Sequence, residues 1–171
     1  MELTIRKILQ GEERAFVELG NKCWKTAYRG IISEEYIAYR AEEQFEQRVE
    51  KFTEILKNPH YEMFFAEYDS EIIGCLFYGK STDPEKPEAG EIAAIYLIEE
   101  FWDRGFGREM LNFALGELKR MSFEEVIIWV LEENRRARRF YERNRFAPDG
   151  GKKEIEYGKP LTCLRYGKEI K

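Results

Sequence analysis

Histidine is almost missing from this 171-residue chain: there is one, His60. It follows Pro59 in a segment with loop character, which nearly excludes a catalytic triad or a histidine-built metal site. Cysteine is nearly as scarce. Cys23, Cys75 and Cys163 stand far apart and give neither a disulfide framework nor a metal-ligand spacing. They read as small hydrophobes, and no metal is expected. No run approaches the ~20 apolar residues of a membrane-spanning helix, and the start, Met1-Glu-Leu-Thr-Ile-Arg-Lys, is too mixed for a secretion signal. The chain therefore reads as cytoplasmic, with no membrane partner. An excess of positive charge is also absent. The formal net charge is −5, which speaks against a nucleic-acid partner.

Aromatic residues, by contrast, are abundant, with ten Tyr, twelve Phe and three Trp. That is ample core material for one domain spanning residues 1–171. Leu3, Ile5 and Ile8 suggest a strand over about 2–8. Phe16, Leu19, Cys23 and Ala27 make one face of a helix over 11–29, closed by Gly30. Ser33 then caps a second helix whose apolar positions are Phe45, Val49, Phe52 and Leu56 and which stops before Asn58-Pro59. Strands over 61–68 and 71–79 flank a tight Asp69-Ser70 turn, and 80–90 is a loop. Residues 92–98 are apolar on both faces, as in a central strand. A helix over 105–120, a central strand over 126–131 and a helix over 135–145 follow. Gly150-Gly151 reads as a turn, and Gly158-Lys159-Pro160 joins two last strands, 152–158 and 161–168. Strands alternating with helices in the second half imply βαβ crossovers, hence an α/β fold with a mixed sheet covered by helices on both faces. The late strands could also pair across a homodimer.

The junction from Ile92 to Leu118 carries the first functional signal. Arg104-Gly-Phe-Gly-Arg108 lies between a central strand and a helix. Two glycines permit positive φ and close backbone approach to a ligand. The helix N-terminus offers free N–H groups and the positive end of its dipole, which together make an anion seat. Arg104 and Arg108 can add ion pairs to phosphate. No Gly-Lys-Ser/Thr follows, and no third glycine stands at the dinucleotide-binding spacing, so neither a Walker loop nor a dinucleotide fingerprint is present.

A second constellation lies downstream: Asn134-Arg-Arg-Ala-Arg-Arg-Phe-Tyr141-Glu-Arg-Asn-Arg-Phe146. Together with Trp102-Asp-Arg-Gly-Phe-Gly107 it resembles the GCN5-related N-acetyltransferase (GNAT) family, in small bacterial form. That family carries a Gly-x-Gly turn after its fourth strand and an Asn-x-x-Ala-x-x-Phe-Tyr-x-x-x-Gly-Phe segment after its fifth. The likeness covers the whole chain in element order and is most specific over 91–146. Three positions depart from the family pattern: Trp102 for Gln or Arg, Asp103 for a common Gly, and Arg145 for the Gly before Phe146.

The resemblance implies the single-domain acyl-CoA N-acyltransferase fold, with a mixed, mostly antiparallel central sheet and helices on both faces. It implies acetyl-CoA as co-substrate, its pantetheine arm lying between the fourth and fifth strands. Backbone groups near Ile95, Tyr96 and Leu97 would pair with that arm, and the amides of Asp103, Arg104, Gly105, Phe106, Gly107 and Arg108 with the pyrophosphate. Asn134 would bond the arm or a water, or cap the next helix, or both. Tyr141 would protonate the departing thiolate; the alternative is a core aromatic beside Phe140. An alkylammonium must lose a proton before it attacks, so a base is needed. Glu91, fourteen residues before Gly105, stands at a spacing where some family members carry a catalytic Glu; the alternative is a solvated strand end. Trp24, Glu35, Tyr36 and Tyr28 are candidates for the acceptor pocket, in a segment resembling polyamine acetyltransferase-like proteins, although Trp24 could equally be core. The expected reaction is acetylation of a small-molecule primary amine. A protein N-terminus or lysine is the alternative acceptor, and a cofactor-sensing module without turnover the alternative class. Six arginines from Arg135 to Arg145 leave open a solvated face, coenzyme phosphate contacts or a nucleic-acid face.

Overall fold

The computed structural model describes residues 2–171. The elements run β1 (Thr4–Lys7), α1 (Glu13–Ala27), α2 (Glu34–Glu42), α3 (Phe45–Leu56), β2 (Tyr61–Tyr68), β3 (Glu71–Lys80), β4 (Gly90–Leu97), a short 3-10 turn (Glu99–Phe101), α4 (Phe106–Arg120), β5 (Glu125–Leu131), α5 (Arg135–Arg143), β6 (Ala147–Glu156) and β7 (Pro160–Glu169). All seven strands form one sheet in the order β1-β2-β3-β4-β5-β7-β6. Every neighbouring pair is antiparallel except β4 with β5. A parallel pair needs a crossover, and α4 supplies it.

Strand alternation sorts the core into layers. Phe64 pairs with Leu76, and both join Met110, Leu111, Ala114 and Leu118 of α4. The next pair, Phe65 with Cys75, faces the other way and packs with Met63 and with Phe16 of α1, against which Phe52 of α3 is laid. α5 sends Tyr141 into the α4 side. Helices thus cover both faces. The β2–β3 hairpin turns at Asp69 (φ 52°) and Ser70 (φ 64°), the paired positive φ angles of a tight hairpin. Ser33 caps α2 by accepting from the Tyr36 N–H at 3.2 Å. All three cysteines are buried.

Two elements differ from the sequence expectation. Residues 34–56 form two helices, broken at Glu43-Gln44. The stripe Phe45, Val49, Phe52, Leu56 belongs to α3 alone, and nothing in 38–44 continues it. α2 instead buries Ile37 against Trp24 and Leu161, a different part of the molecule, so the chain must change direction. Gly150-Gly151 is not a turn but a bulge inside β6, where the register jumps from Pro148↔Tyr166 to Lys152↔Leu164. A Cβ on Gly151 would lie 2.6 Å from the Arg165 guanidinium, so the glycine lets that side chain pass beneath the strand.

Candidate active site

The site originates in how little β4 and β5 pair. Only Gly90↔Val126 and Glu91↔Ile127 are in register, and beyond them the strands diverge. On its other edge β4 has a bulge: Phe77 pairs with Ala94 but Tyr78 with Ile92, leaving Ala93 extra. A bulge bends its strand and increases the twist, which turns residues 94–97 away from β5. β5 stays paired to β7 along its whole length. The result is a wedge-shaped cleft of about 580 Å³ walled by Ile92–Leu97 on one side and Ile128–Val130 on the other.

An open strand edge presents unpaired backbone groups. The Ile98 N–H donates to Ile73 on β3, so by strand alternation the amides of Ile95 and Leu97 point into the cleft. The Leu97 carbonyl on that side accepts from Trp102 Nε1 at 2.9 Å. At the end of the cleft the chain turns into α4. Asp103 has φ 58° and Gly105 φ 91°. Among the described residues, the backbone N–H groups of Asp103 through Gly107 donate to no protein acceptor; the first amide of the turn to do so is that of Arg108, to Gly105. Five free amides at a helix N-terminus form an anion seat. Arg108, Arg139 and Arg143 line the same cleft.

α5 closes the other side. Asn134 caps it, its Oδ1 accepting from the Ala137 N–H at 3.1 Å, and its residue surface is 8% exposed. The amide nitrogen is left over on the cleft wall. Tyr141 is also 8% exposed and lines the cleft. Its hydroxyl has no hydrogen-bond partner among the described residues. Burial, helped by the neighbouring Tyr96 phenol, pushes its pKa well up, so it stays a neutral donor throughout the physiological range.

A second cavity of about 370 Å³ lies between α1, α3 and the β-sheet and shares Tyr28, Ala93, Ala94, Tyr96 and Trp129 with the first. At the junction Tyr96 Oη receives a hydrogen bond from Trp24 Nε1 at 3.2 Å and shares one with the Tyr28 hydroxyl at 2.9 Å. Burial raises the pKa of both tyrosines. Arg40, Arg48, Lys51 and Lys153 project onto this cavity; Glu91 is its one carboxylate, held by the Thr82 N–H at 3.2 Å.

The acetyltransferase (GNAT) family profile matches residues 24–146. The chain belongs to this family. It is thereby placed among acetyl-CoA-dependent acyltransferases. A probable N-acetyltransferase of Mycobacterium tuberculosis is 33% identical over 101 residues, which are 59% of this chain and 55% of that protein. The match thus spans little more than half of that relative. A spermidine N(1)-acetyltransferase of Thermoplasma acidophilum is 28% identical over 149 residues, 85% of this chain and 89% of that one. The crystal structure of the PaiA N-acetyltransferase of the same organism in complex with coenzyme A superposes with a TM-score of 0.76 at 23% identity, covering 99% of both chains.

Within the GNAT frame, Ile95, Tyr96, Leu97, Asp103, Gly105, Gly107, Arg108, Asn134 and Tyr141 share one cleft. Arg104 and Phe106 do not face it. The Arg104 guanidinium lies 4.9 Å from the Phe101 ring and 5.4 Å from that of Tyr68, so it packs on aromatics and not on the cleft. Phe106 is in the core. Trp24, Tyr28 and Glu91 line the second cavity, while Tyr36 stacks on Tyr157 one ring outside it. Glu35 is exposed on the first turn of α2 and reaches neither cavity. The six arginines divide among tasks. Arg138 bonds the Tyr166 hydroxyl and the Glu132 carbonyl. Arg136 lies 4.3 Å over the Trp102 ring and pairs with Asp103 at 3.1 Å. Arg40 and Arg48 were invisible as site residues in the sequence, because no spacing rule links them to the glycine turn; Trp102 stood in the turn motif but without a role, and the structure places its ring on the cleft wall.

Two of the family departures fall at positive φ, Asp103 at 58° and Arg145 at 67°. These are conformations that glycine adopts freely and other residues at a cost of about 1–2 kcal/mol. Arg145→Gly is expected to stabilise the fold by about 1 kcal/mol. A rise in the urea midpoint at unchanged slope would show it; no rise would mean that the Arg145 side chain compensates the strain.

Proposed function

We propose that this chain moves an acetyl group from acetyl-CoA to the primary amine of a small molecule by direct attack in a ternary complex. The observation that carries the reading is the junction of two cavities: a cleft ending in free helix amides, and a second chamber meeting it beside Tyr28, Tyr96 and Trp129. A chamber of about 370 Å³ is of small-molecule size. The spermidine-acetylating relative supports a small amine acceptor.

The amides of residues 103–107 bind the pyrophosphate, and the arm runs along the open edge of β4. An amide of Ile95 or Leu97 aimed at the thioester carbonyl stabilises the oxyanion that forms when the amine attacks. The C–N bond forms, the C–S bond breaks, and the amine's proton must reach sulfur. Tyr141 donates its hydrogen bond to the developing thiolate. A phenol with a raised pKa is a weaker acid than a thiol of about 8.5, so full transfer is favourable only when the amine gives up its own proton in concert. An acceptor arriving as an ammonium first loses one more proton to a base, a role we assign to Glu91 acting directly or through water.

Thiol release from acetyl-CoA across a panel of small amines tests the transfer. Binding of acetyl-CoA without thiol release on any amine would instead favour a cofactor sensor. Glu91→Gln is expected to lower kcat/KM by about 10²-fold. An unchanged rate would remove Glu91 from the mechanism.

A further inference from the structure

The chain as a whole carries a net charge of −5, yet the wall of its second cavity has the opposite balance. Arg40, Arg48, Lys51 and Lys153 line it, against Glu91 alone. None of the four cations forms an ion pair within the described residues. The two guanidiniums donate instead to a neutral oxygen: Arg40 Nη1 to Asn21 Oδ1 at 3.2 Å, and Arg48 Nη1 to the same atom. The Arg40 guanidinium also lies 3.6 Å over the Trp24 ring, and Lys153 Nζ lies 4.1 Å over the Trp129 ring. Aromatic faces and one amide oxygen thus stand where carboxylates would normally be. Elsewhere the chain pairs its buried cation fully: Arg165 has three carboxylate partners.

We infer that this cavity is an oxyanion-recognising acceptor subsite, and that the amine acetylated here carries a carboxylate, phosphate or phosphonate group at its other end. The inference rests on the reading of this cavity as the acceptor chamber. Two guanidiniums sharing one acceptor, with their remaining N–H donors free, present the fork geometry that binds oxyanions through paired charge-assisted hydrogen bonds. Removing guanidiniums from water without a counter-charge is costly, and a bound anion offsets that cost. Burial lowers the pKa of Arg40, and burial together with the Arg40 charge brings that of Arg48 down to about 10. Both remain charged at neutral pH, and an anion between them relieves both effects. A polyamine would meet the reverse. Its second and third ammonium groups would face four cations and find one carboxylate, which Thr82 already holds. The anionic end anchors at α2 and α3, and the amine end is left toward the shared wall of Tyr28, Tyr96 and Trp129, where the two cavities meet.

The test is a set of matched acceptors assayed by thiol release: L-amino acids against their amides, 2-aminoethylphosphonate against ethylamine, and spermidine. The amide of an amino acid has the less basic amine, so proton loss favours it and the comparison is biased against the proposal. The oxyanion-bearing member of each pair is nonetheless expected to be preferred at least about ten-fold in kcat/KM. Carboxylate and phosphonate arms tell which oxyanion is used. Arg48→Gln is expected to raise KM for these acceptors about ten-fold or more while the calorimetric affinity for coenzyme A holds. Lys153→Gln, an exposed position on β6 that does not threaten folding, should shift KM in the same direction by less. Equal or better use of amides or spermidine, or an unmoved KM in both variants, overturns the inference. Should no amine be acetylated at all, the coenzyme-A-saturated protein is titrated with the same compounds. Oxyanion binding weakened by Arg48→Gln would then uphold the subsite while acetyl transfer falls, and absence of such binding would overturn the subsite itself.

Discussion

Arg165→Met is expected to destabilise the chain by about 3–5 kcal/mol, a fall in Tm of roughly 10 °C for a domain of this size. Arg165 lies on β7 under the Gly151 bulge and bonds Asp83 at 2.8 Å, Glu85 at 2.8 Å and Asp149 at 2.7 Å. The Arg165 and Asp83 side chains are each 7% exposed, whereas Glu85 is 71% exposed, so the Asp83 pair dominates. Burial by itself would raise the Asp83 pKa. The hydrogen bond from Arg165 and that from the Glu85 N–H outweigh it and hold the carboxyl below its usual value. A depressed carboxyl contributes stability that is present above the unfolded value of about 3.9 and lost as pH falls through the folded one. Without Arg165, burial is opposed only by the Glu85 amide and the weaker pull of the Lys153 charge, and the Asp83 pKa rises. The variant's deficit therefore shrinks as pH falls from neutral toward 4, and Asp83→Asn in the variant background restores part of the loss at pH 7. A deficit independent of pH would show that packing, not the buried charge, is at stake. The network also matters to the site. It ties residues 83–85 to the sheet, and the adjacent Thr82 holds the Glu91 carboxylate.

This network shows where sequence reading ends. Asp83, Glu85, Asp149 and Arg165 lie up to 82 positions apart, and nothing local about a charged loop residue says which strand it will reach. The donor side was legible for the opposite reason. Positive φ at Gly105, a helix N-terminus at Phe106 and a cap at Asn134 are local events, each written within a few residues. Even there the side chains were less legible than the backbone. Arg104 looked like a phosphate ligand by proximity, but the rings of Phe101, Phe106 and Tyr68 gave it a better place. The helix break at Glu43-Gln44 escaped detection because one apolar stripe was assigned to two helices that pack on different neighbours. The second cavity was the least legible part. Trp24 and Tyr28 do line it, but the cations that join them, Arg40, Arg48, Lys51 and Lys153, come from α2, α3 and β6, which no local spacing ties together.

Tyr141→Phe is expected to lower kcat by about 10²–10³-fold with little change in KM for acetyl-CoA. The ring stays in the core with Phe140, Phe146 and Tyr166, whose centroids lie 5.4, 6.0 and 6.4 Å away. Phe keeps those contacts, and because the hydroxyl bonds no other described residue, its removal leaves no buried partner unsatisfied. Stability should therefore move by less than about 1 kcal/mol. The loss falls on the step in which sulfur gains charge, because that is the moment the phenol has a partner. Leaving-group dependence isolates it. With an acetyl thioester whose thiol is more acidic than that of coenzyme A, the departing thiolate needs less help, and the gap between Tyr141 and Phe should narrow. A gap that stays constant across thioesters would move Tyr141 from proton donor to positioning residue. A full rate with Phe would leave it as a core aromatic, and the amides of β4 would then carry the chemistry alone.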